Sequence, residues 1–245
     1  MKRLLIILLG LSILLSQTGC DKEGVCVKST GKVIRESRPV EPFHEIEVND
    51  NLNVFLTFDS TKYGISVEAG ENLIAGIRAE VDSGRLVLKN DNACDWLRSF
   101  DVPVNIFLTF SYLDTIIYQA AGGLNCLNPW VSDSVYVSVV EGAGKLNLIL
   151  DVERSILQVR YGTVNVNVSG TSGVTYISSQ GYGPFHAEYL LSKFTYVYTF
   201  SPNDVFVYAS EELGVEIGNI GNVHYTGDPK EISENIYGGG RLIKF

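Results

Sequence analysis

Glycine recurs at an interval of about twenty residues throughout the second half of the chain. The column has seven positions, which are Gly122, Gly144, Gly162, Gly183, Asn203, Gly221 and Gly240. Its successive members lie 22, 18, 21, 20, 18 and 19 residues apart. Asparagine is among the few residues other than glycine that tolerate a positive φ. The column therefore predicts that each repeat turns through a left-handed backbone conformation.

Apolar and polar residues alternate directly after each member of this column. Two positions on, every residue is apolar, namely Leu124, Leu146, Val164, Phe185, Val205, Val223 and Leu242. Three positions on, the residues are largely polar, namely Asn125, Asn147, Asn165, His186, Phe206, His224 and Ile243. Four positions on they are again mostly apolar, with Lys244 as the exception. A period of two predicts short strands with one buried face.

Units of this length, each with strands and a glycine turn, favour an all-β solenoid. Stacked as a parallel β-helix, each rung would pair with the next at about 4.8 Å around one continuous core. An antiparallel sandwich is the alternative, because regularly spaced turn signals are also typical of that fold. The solenoid is preferred because the whole pattern recurs, and not only the strand.

Residues 33–117 lack the regular repeat and are expected to pack against the solenoid or to cap its N-terminal end. Strand-like runs occur at 45–48, 52–56, 65–67, 86–88 and 104–108. Leu73, Ile74, Ile77 and Val81 share one helical face and predict a short amphipathic helix within 72–81. The domain prediction is thus a single solenoid over 33–245, irregular over 33–117 and regular over 118–245.

The N-terminus carries an export signal. Met1-Lys2-Arg3 is positively charged, and Leu4–Leu15 is an apolar run too short to span a membrane. Cys20 after Gly19 resembles the lipobox of bacterial lipoproteins, in which the cysteine is acylated, although Gln17 stands where leucine is usual. Residues 1–19 are therefore interpreted as a lipoprotein signal peptide, and 20–32 as a polar tether. Cleavage beside an unmodified cysteine is the alternative.

Charge and cysteine content restrict the partners. The chain has 19 basic and 28 acidic side chains, and cleavage before Cys20 would remove two of the basic ones. Binding to nucleic acid is not expected, because it needs clustered cationic side chains. Cys20, Cys26, Cys94 and Cys126 are the only cysteines. With Cys20 acylated the other three cannot all pair within one chain, so a disulfide scaffold is not indicated.

The sequence contains no recognisable catalytic or metal-binding motif. The three histidines are isolated, and Gly142–Leu146 lacks both the spacing and the hydroxyl residue of a phosphate-binding loop. Neither a cofactor nor a metal is predicted. The enzymatic alternative is a polysaccharide lyase or glycosidase, which needs two carboxyl groups across a cleft. The candidate pairs are Asp91 with Asp95, beside Trp96, and Glu211 with Glu212.

Binding of a glycan or a protein has more support than catalysis. Six of the thirteen tyrosines lie within 33 residues, namely Tyr176, Tyr182, Tyr189, Tyr196, Tyr198 and Tyr208. Aromatic faces with polar tips suit recognition, although stacking between successive rungs would also explain them. The candidate ligand face comprises Asn125, Asn147, Asn165, His186, His224 and Trp96. Hydrated outward strand positions are the alternative explanation for it.

Several segments resemble a known bacterial family, the auto-transporter adhesin head GIN domain. The matching residues are Arg38-Pro39-Val40 with Phe43, Ile46-Glu47-Val48, Glu71-Asn72-Leu73 with Arg85-Leu86, Gly221 to Pro229, and Gly238 to Ile243. The resemblance covers about residues 33–245. It implies a right-handed β-helix in an exported, often lipid-anchored protein, and the family's name implies adhesion. It carries over no catalytic or binding residue.

Three functions are consistent with these features: a surface binding or adhesion module, a structural component of the cell envelope, and a glycan-active enzyme. The first is preferred. Asp21-Lys22-Glu23 after the lipobox cysteine resembles a signal that sends lipoproteins to the outer face of the outer membrane. We therefore expect an outer-membrane lipoprotein on the cell surface, held by its N-terminal lipid. The oligomeric state is left open.

Overall fold

The computed structural model describes residues 29–92 and 103–245, whose regular secondary structure is almost entirely β-strand. The strands of the first half are β1 (Val33–Arg38), β2 (Glu45–Asp50), β3 (Asn53–Phe58), β4 (Gly64–Gly70), β5 (Ile77–Asp82), β6 (Arg85–Asn90), β7 (Asn105–Phe110), β8 (Thr115–Ala120) and β9 (Gly123–Cys126). Those of the second half are β10 (Trp130–Gly142), β11 (Lys145–Val159), β12 (Asn165–Ser179), β13 (Phe185–Thr199), β14 (Val205–Tyr208), β15 (Glu212–Ile217), β16 (Val223–Thr226), β17 (Glu231–Ile236) and β18 (Leu242–Lys244).

These strands form two parallel columns that wind around one core. The first sheet runs through β6, β2, β8, β10, β11, β12, β13, β15 and β17. The second sheet runs through β7, β3, β9, β11, β12, β13, β14, β16 and β18. The long strands β11, β12 and β13 start in the second sheet and end in the first. The parallel pairing confirms the predicted β-solenoid and excludes an antiparallel sandwich.

The apolar column of the repeat faces the core, as predicted. Leu146 is 0% exposed, and Val164 and Phe185 are each 1% exposed. Only Leu242, on the last strand, is partly exposed. At the corner between the two sheets the core also contains hydroxyl groups, and Ser155 Oγ donates to Thr175 Oγ1 at 2.9 Å. Buried hydroxyls are tolerated there because they bond to each other.

The order of the rungs in space differs from their order in the sequence. β2 pairs on one side with β6 and on the other with β8, and β3 likewise lies between β7 and β9. The rung formed by residues 45–58 is therefore inserted between the rungs formed by 85–110 and by 115–126. Residues 33–117 do not form a separate body at the end of the coil, because β2, β3, β6 and β7 are themselves rungs.

The N-terminal end of the coil has antiparallel strands at its edges. β5 pairs with β6, β4 pairs with β7, and β1 pairs with β4, all antiparallel. The helix predicted within 72–81 is only a single 3₁₀ turn at Ile74–Gly76, and β5 begins at Ile77. Ile74 and Ile77 are buried as predicted. Since Arg38 donates to the carbonyl oxygens of both, these carbonyls have partners outside a helix.

Most of the repeated glycines are needed because a Cβ would clash with the backbone of the neighbouring rung. Only a minority of them adopt a left-handed conformation. Gly144 and Gly162 have φ of 92° and 95°, but neither Asn203 nor the other four members have a φ in the left-handed region. A Cβ at Gly122 would lie 2.0 Å from the carbonyl oxygen of Leu52, and one at Gly183 would lie 1.8 Å from that of Val164. The left-handed prediction is thus wrong for five of the seven positions. The column marks where successive turns touch through their backbones.

Several predicted features lie outside the described residues. These are the signal peptide, the acylated Cys20, the acidic signal after it, Cys26, Cys94, Asp95 and Trp96. In the described part of the chain, no helix is long and apolar enough to cross a membrane. Cys126 is free and buried, and this burial raises the pKa of its thiol to about 11.

Candidate binding faces

The predicted polar column forms a continuous ladder on the outer face of the second sheet. Asn147 Nδ2 donates to Asn125 Oδ1 at 2.6 Å, and Asn167 Nδ2 donates to Asn147 Oδ1 at 3.2 Å. His186 follows Asn167 in the strand register. The amides thus bond to one another along the axis, as stacked asparagines do. Much of their hydrogen-bonding capacity is used within the protein.

Asn165 does not belong to this ladder, and its predicted place is taken by Asn167. The register pairs Asn147 with Asn167 and Asn167 with His186, whereas Asn165 pairs with Lys145. The prediction was wrong by two residues because it aligned Gly162 with Gly144. In the structure Lys145 pairs with Asn165, so Val164 is the residue that lies beside Gly144. Asn165 still contacts the ladder, since its Oδ1 accepts from Asn167 Nδ2 at 3.1 Å.

The C-terminal part of the ladder is a stack of three rings. The ring centroids of His186 and Phe206 are 4.8 Å apart, and those of Phe206 and His224 are 4.7 Å apart. Each imidazole has its own carboxylate, since His186 Nδ1 lies 3.2 Å from Glu188 Oε1 and His224 Nε2 lies 2.8 Å from Asp204 Oδ2. The two histidines are separated by a whole ring, as their two-rung spacing predicted. Within residues 29–92 and 103–245, no group of three or more His, Cys, Asp or Glu side chains could hold a metal ion.

A groove of about 590 Å³ lies on the outer face of the first sheet. Two columns of outward side chains border it. One runs through Ile156, Tyr176, Tyr196, Gly214 and Ser233, and the other runs through Gln158, Ser178, Tyr198, Glu216 and Asn235. We call this the tyrosine groove. Over the four strand steps from β11 to β17, at about 4.8 Å per step, it extends for about 19 Å.

The arrangement of large and small residues opens this groove. The Tyr176 and Tyr196 rings stack at 5.2 Å with an interplanar angle of 19°. The next residue in the register is Gly214, where a Cβ would lie only 2.8 Å from the Tyr196 ring. Gly214 therefore lets the Tyr196 ring lie directly over the strand. Stacking between rungs, the alternative explanation for the tyrosines, is correct for this pair.

Polar groups line the rim of the tyrosine groove. Tyr136 Oη donates to Gln158 Oε1 at 2.9 Å. Desolvation, followed by a hydrogen bond with Glu212, raises the pKa of the Tyr196 hydroxyl. Desolvation and hydrogen bonds with Tyr198 and Glu216 raise the pKa of Tyr237 to about 12. These hydroxyls therefore stay protonated at neutral pH and can donate hydrogen bonds.

The described members of the two carboxylate pairs considered for catalysis interact with other side chains. Asp91 forms ion pairs with Arg78 and Lys89, and its predicted partner Asp95 lies outside the described residues. Glu211 is paired with Lys230 at 2.5 Å, whereas Glu212 contacts Tyr196. Of the six clustered tyrosines, Tyr176, Tyr196 and Tyr198 border the groove. The aromatic cluster was predicted from the sequence, but Gly214 and Glu216 were not, because only the strand register places them beside it.

Together, the stacked rungs, the amide ladder and the tyrosine groove define a parallel β-solenoid whose outer faces present rows of polar and aromatic side chains. Residues 42–229 match the family model described as "Putative auto-transporter adhesin, head GIN domain". The chain belongs to this family, as its sequence motifs indicated. The comparison with curated proteins gives no match.

Solved structures share the same fold. A putative adhesin from Bacteroides fragilis matches with a TM-score of 0.81 and 21% identity, over 87% of this chain and 97% of the other. A putative adhesin from Parabacteroides distasonis matches with a TM-score of 0.66 and 16% identity, over 88% and 98%. A putative lipid binding protein from the same species matches with a TM-score of 0.65 and 20% identity, over 89% and 98%. At these identities the likeness establishes the fold alone.

Proposed function

We propose that this protein is a non-catalytic adhesion module of the bacterial cell envelope that binds carbohydrate chains through the tyrosine groove. The observation that carries the proposal is an elongated groove of about 590 Å³ bordered by the stacked rings of Tyr176 and Tyr196, with Gly214 as the next residue in the register. Aromatic faces bind the apolar faces of sugar rings, while the amide, hydroxyl and carboxylate groups on the rim suit sugar hydroxyls. A length of about 19 Å suits an oligosaccharide better than a single sugar.

The position of the groove along the coil supports a role in adhesion. The described chain enters at the N-terminal end, where Asn72 N donates to Thr30 O at 3.3 Å and β1 forms the edge strand. The groove starts four strand steps from β6 and ends eight steps from it, which corresponds to about 19 and 38 Å. If lipid on Cys20 anchors the chain, the groove lies in the half of the coil that is farther from the point where the described chain enters.

The anchoring itself is part of the proposal. The apolar run before Cys20 and the small residues beside it support acylation, and the acidic segment after it supports exposure on the outer membrane. Labelling cells with a radioactive fatty acid should mark the wild-type protein, and Cys20→Ala should abolish the label. Protease treatment of intact cells should remove the domain if it lies outside, and should leave it intact if it faces the periplasm.

An oligosaccharide array probed with the purified domain tests the binding function. We expect saturable binding without turnover of the bound glycan. Tyr196→Ala should weaken it about tenfold, because a central aromatic contact typically contributes more than 1 kcal/mol. Tyr196→Phe keeps the ring and should largely retain binding.

Tyr161→Ala is the matched control, since Tyr161 is 68% exposed and lies outside the groove. Equal binding by the Tyr196→Ala and Tyr161→Ala variants would reject the groove as the site. Release of shortened oligosaccharides would instead support the enzymatic alternative. Absence of binding together with an envelope defect on deletion of the gene would support a structural role.

A further inference from the structure

A β-bulge interrupts the second sheet beside the amide ladder. Asn167 pairs with His186 and Ser169 pairs with Tyr189, so β13 contains one residue more than β12 between these pairs. Ala187 stays in the core, and as a result Glu188 and Tyr189 follow each other on the outer face. Bulges of this kind redirect side chains and are frequent beside binding sites.

The bulge places a carboxylate oxygen where it has no partner. Glu188 Oε1 lies 3.2 Å from His186 Nδ1, whereas Glu188 Oε2 is buried and has no hydrogen-bond partner among the described residues. Among the described residues it is the one buried side-chain oxygen or nitrogen in this condition. Such a group destabilises the folded state unless a ligand or water supplies a donor. The site therefore lacks a hydrogen-bond donor.

A pocket of about 290 Å³ lies against this carboxylate. Its polar lining comes from five side chains, namely Asn147, Asn167, Ser169, His186 and Glu188. Tyr189, which is 72% exposed, stands at its edge. The pocket is on the second sheet and shares no residue with the tyrosine groove.

We propose that this bulge pocket binds a single sugar residue, independently of the tyrosine groove. A rotation of the Glu188 side chain, which is 16% exposed, turns its second carboxylate oxygen toward the pocket, where it accepts a hydrogen bond from a ring hydroxyl. The neighbouring amides contact further hydroxyls, and Tyr189 covers an apolar face of the sugar. A metal ion fits less well, since one carboxylate with neutral amides supplies little of the charge that hard cations need. Two sugar sites on different sheets would allow one molecule to bind two glycan chains, which strengthens adhesion through avidity.

Titration of the domain with neutral, amino and acidic monosaccharides, followed by ligand-observed NMR, tests this pocket. At least one class should bind saturably, and Glu188→Gln should weaken it tenfold or more, because the amide replaces one acceptor oxygen by a donor. Tyr189→Ala should weaken it severalfold. Glu80→Gln, an exposed position on β5, is the matched control and should bind as the wild type does.

Thermal unfolding separates a binding role of Glu188 from a structural one. Glu188→Gln should be at least as stable as the wild type, because it removes a buried charged oxygen without a partner. Loss of both stability and binding would indicate that Glu188 only maintains the fold, and would overturn the proposal. Tyr196→Ala must leave monosaccharide binding unchanged, which distinguishes failure of the groove from failure of the pocket. Absence of any saturable sugar binding, or binding of Ca²⁺ alone that Glu188→Gln abolishes, would also overturn it.

Discussion

Asn147 Nδ2 donates to Asn125 Oδ1 at 2.6 Å across one step of the second sheet. This bond makes the direction of the Asn147 amide important, because Asn147 is a donor to one neighbour in the ladder and an acceptor for the other. Asn147 also accepts from Asn167. An acidic residue in the ladder would keep the acceptor and lose the donor.

Asn147→Asp is therefore expected to lower the free energy of unfolding by about 1 to 2 kcal/mol at neutral pH, since it sets a carboxylate against the Asn125 oxygen. Urea unfolding monitored by circular dichroism measures the change. Asn165→Asp is the matched control, because the Asn165 side chain only accepts from Asn167 in the ladder. Equal losses in the two variants would mean that the amide bonds contribute no directional stability.

Gly122 is required by the close approach of two backbones. A Cβ there would lie 2.0 Å from Leu52 O, on the rung that is inserted out of sequence order. Gly122→Ala should destabilise the domain by about 3 kcal/mol or more, because a backbone shift must separate the two rungs. The midpoint of chemical unfolding reports the effect. In Gly239→Ala the new Cβ would lie no closer than 3.4 Å to its neighbours, so that variant should stay near wild-type stability.

Glu234 occupies a position that belongs to the core in every preceding rung. It pairs in register with Val215, which is 5% exposed, yet Glu234 itself is exposed because no described strand covers β17. An inward-pointing charge at a sheet edge opposes pairing with another chain. Glu234→Val should therefore promote end-to-end association, detected by analytical ultracentrifugation as a concentration-dependent dimer. Glu231→Val, outward on the same strand, should not, and a monomeric Glu234→Val protein would contradict this role.

Asp204 should make stability depend on pH in the acid range. Partial burial raises the pKa of its carboxyl, but hydrogen bonds from Asn222 and the interaction with His224 outweigh this effect and lower the pKa below its ordinary value of 3.8. The stabilisation is therefore present above pH 3.8 and is lost as the pH falls through the lowered pKa.

Asp204→Asn should cost less than about 1 kcal/mol at neutral pH, since the side chain is partly exposed. The difference from the wild type should vanish under acid conditions in urea unfolding at a series of pH values. Asp133→Asn, at an exposed position, should leave the pH profile unchanged. A constant difference at every pH would show that the charge of Asp204 is not involved.

The two-residue alternation within strands and the repeat of about twenty residues allowed the fold to be predicted from the sequence. Leu146 and Phe185 are recognisable as core residues because a strand alternates its side chains, whatever lies on either side of it. The predicted strand runs of the N-terminal half all fall in strands or begin one residue before them. The identification of the family rested equally on short local motifs. None of these inferences needed knowledge of which strand lies beside which.

Register and rung order were decided only in three dimensions. A two-residue difference in rung length moved the ladder from Asn165 to Asn167, and the insertion of residues 45–58 between later rungs has no local signal. The bulge at Glu188 and the position of Gly214 beneath the Tyr196 ring likewise depend on which residues of neighbouring rungs pair with each other. The sequence by itself determined the faces of each strand, because alternation is a property of one strand; the tertiary structure decided the binding surfaces, because each combines side chains from rungs about twenty residues apart.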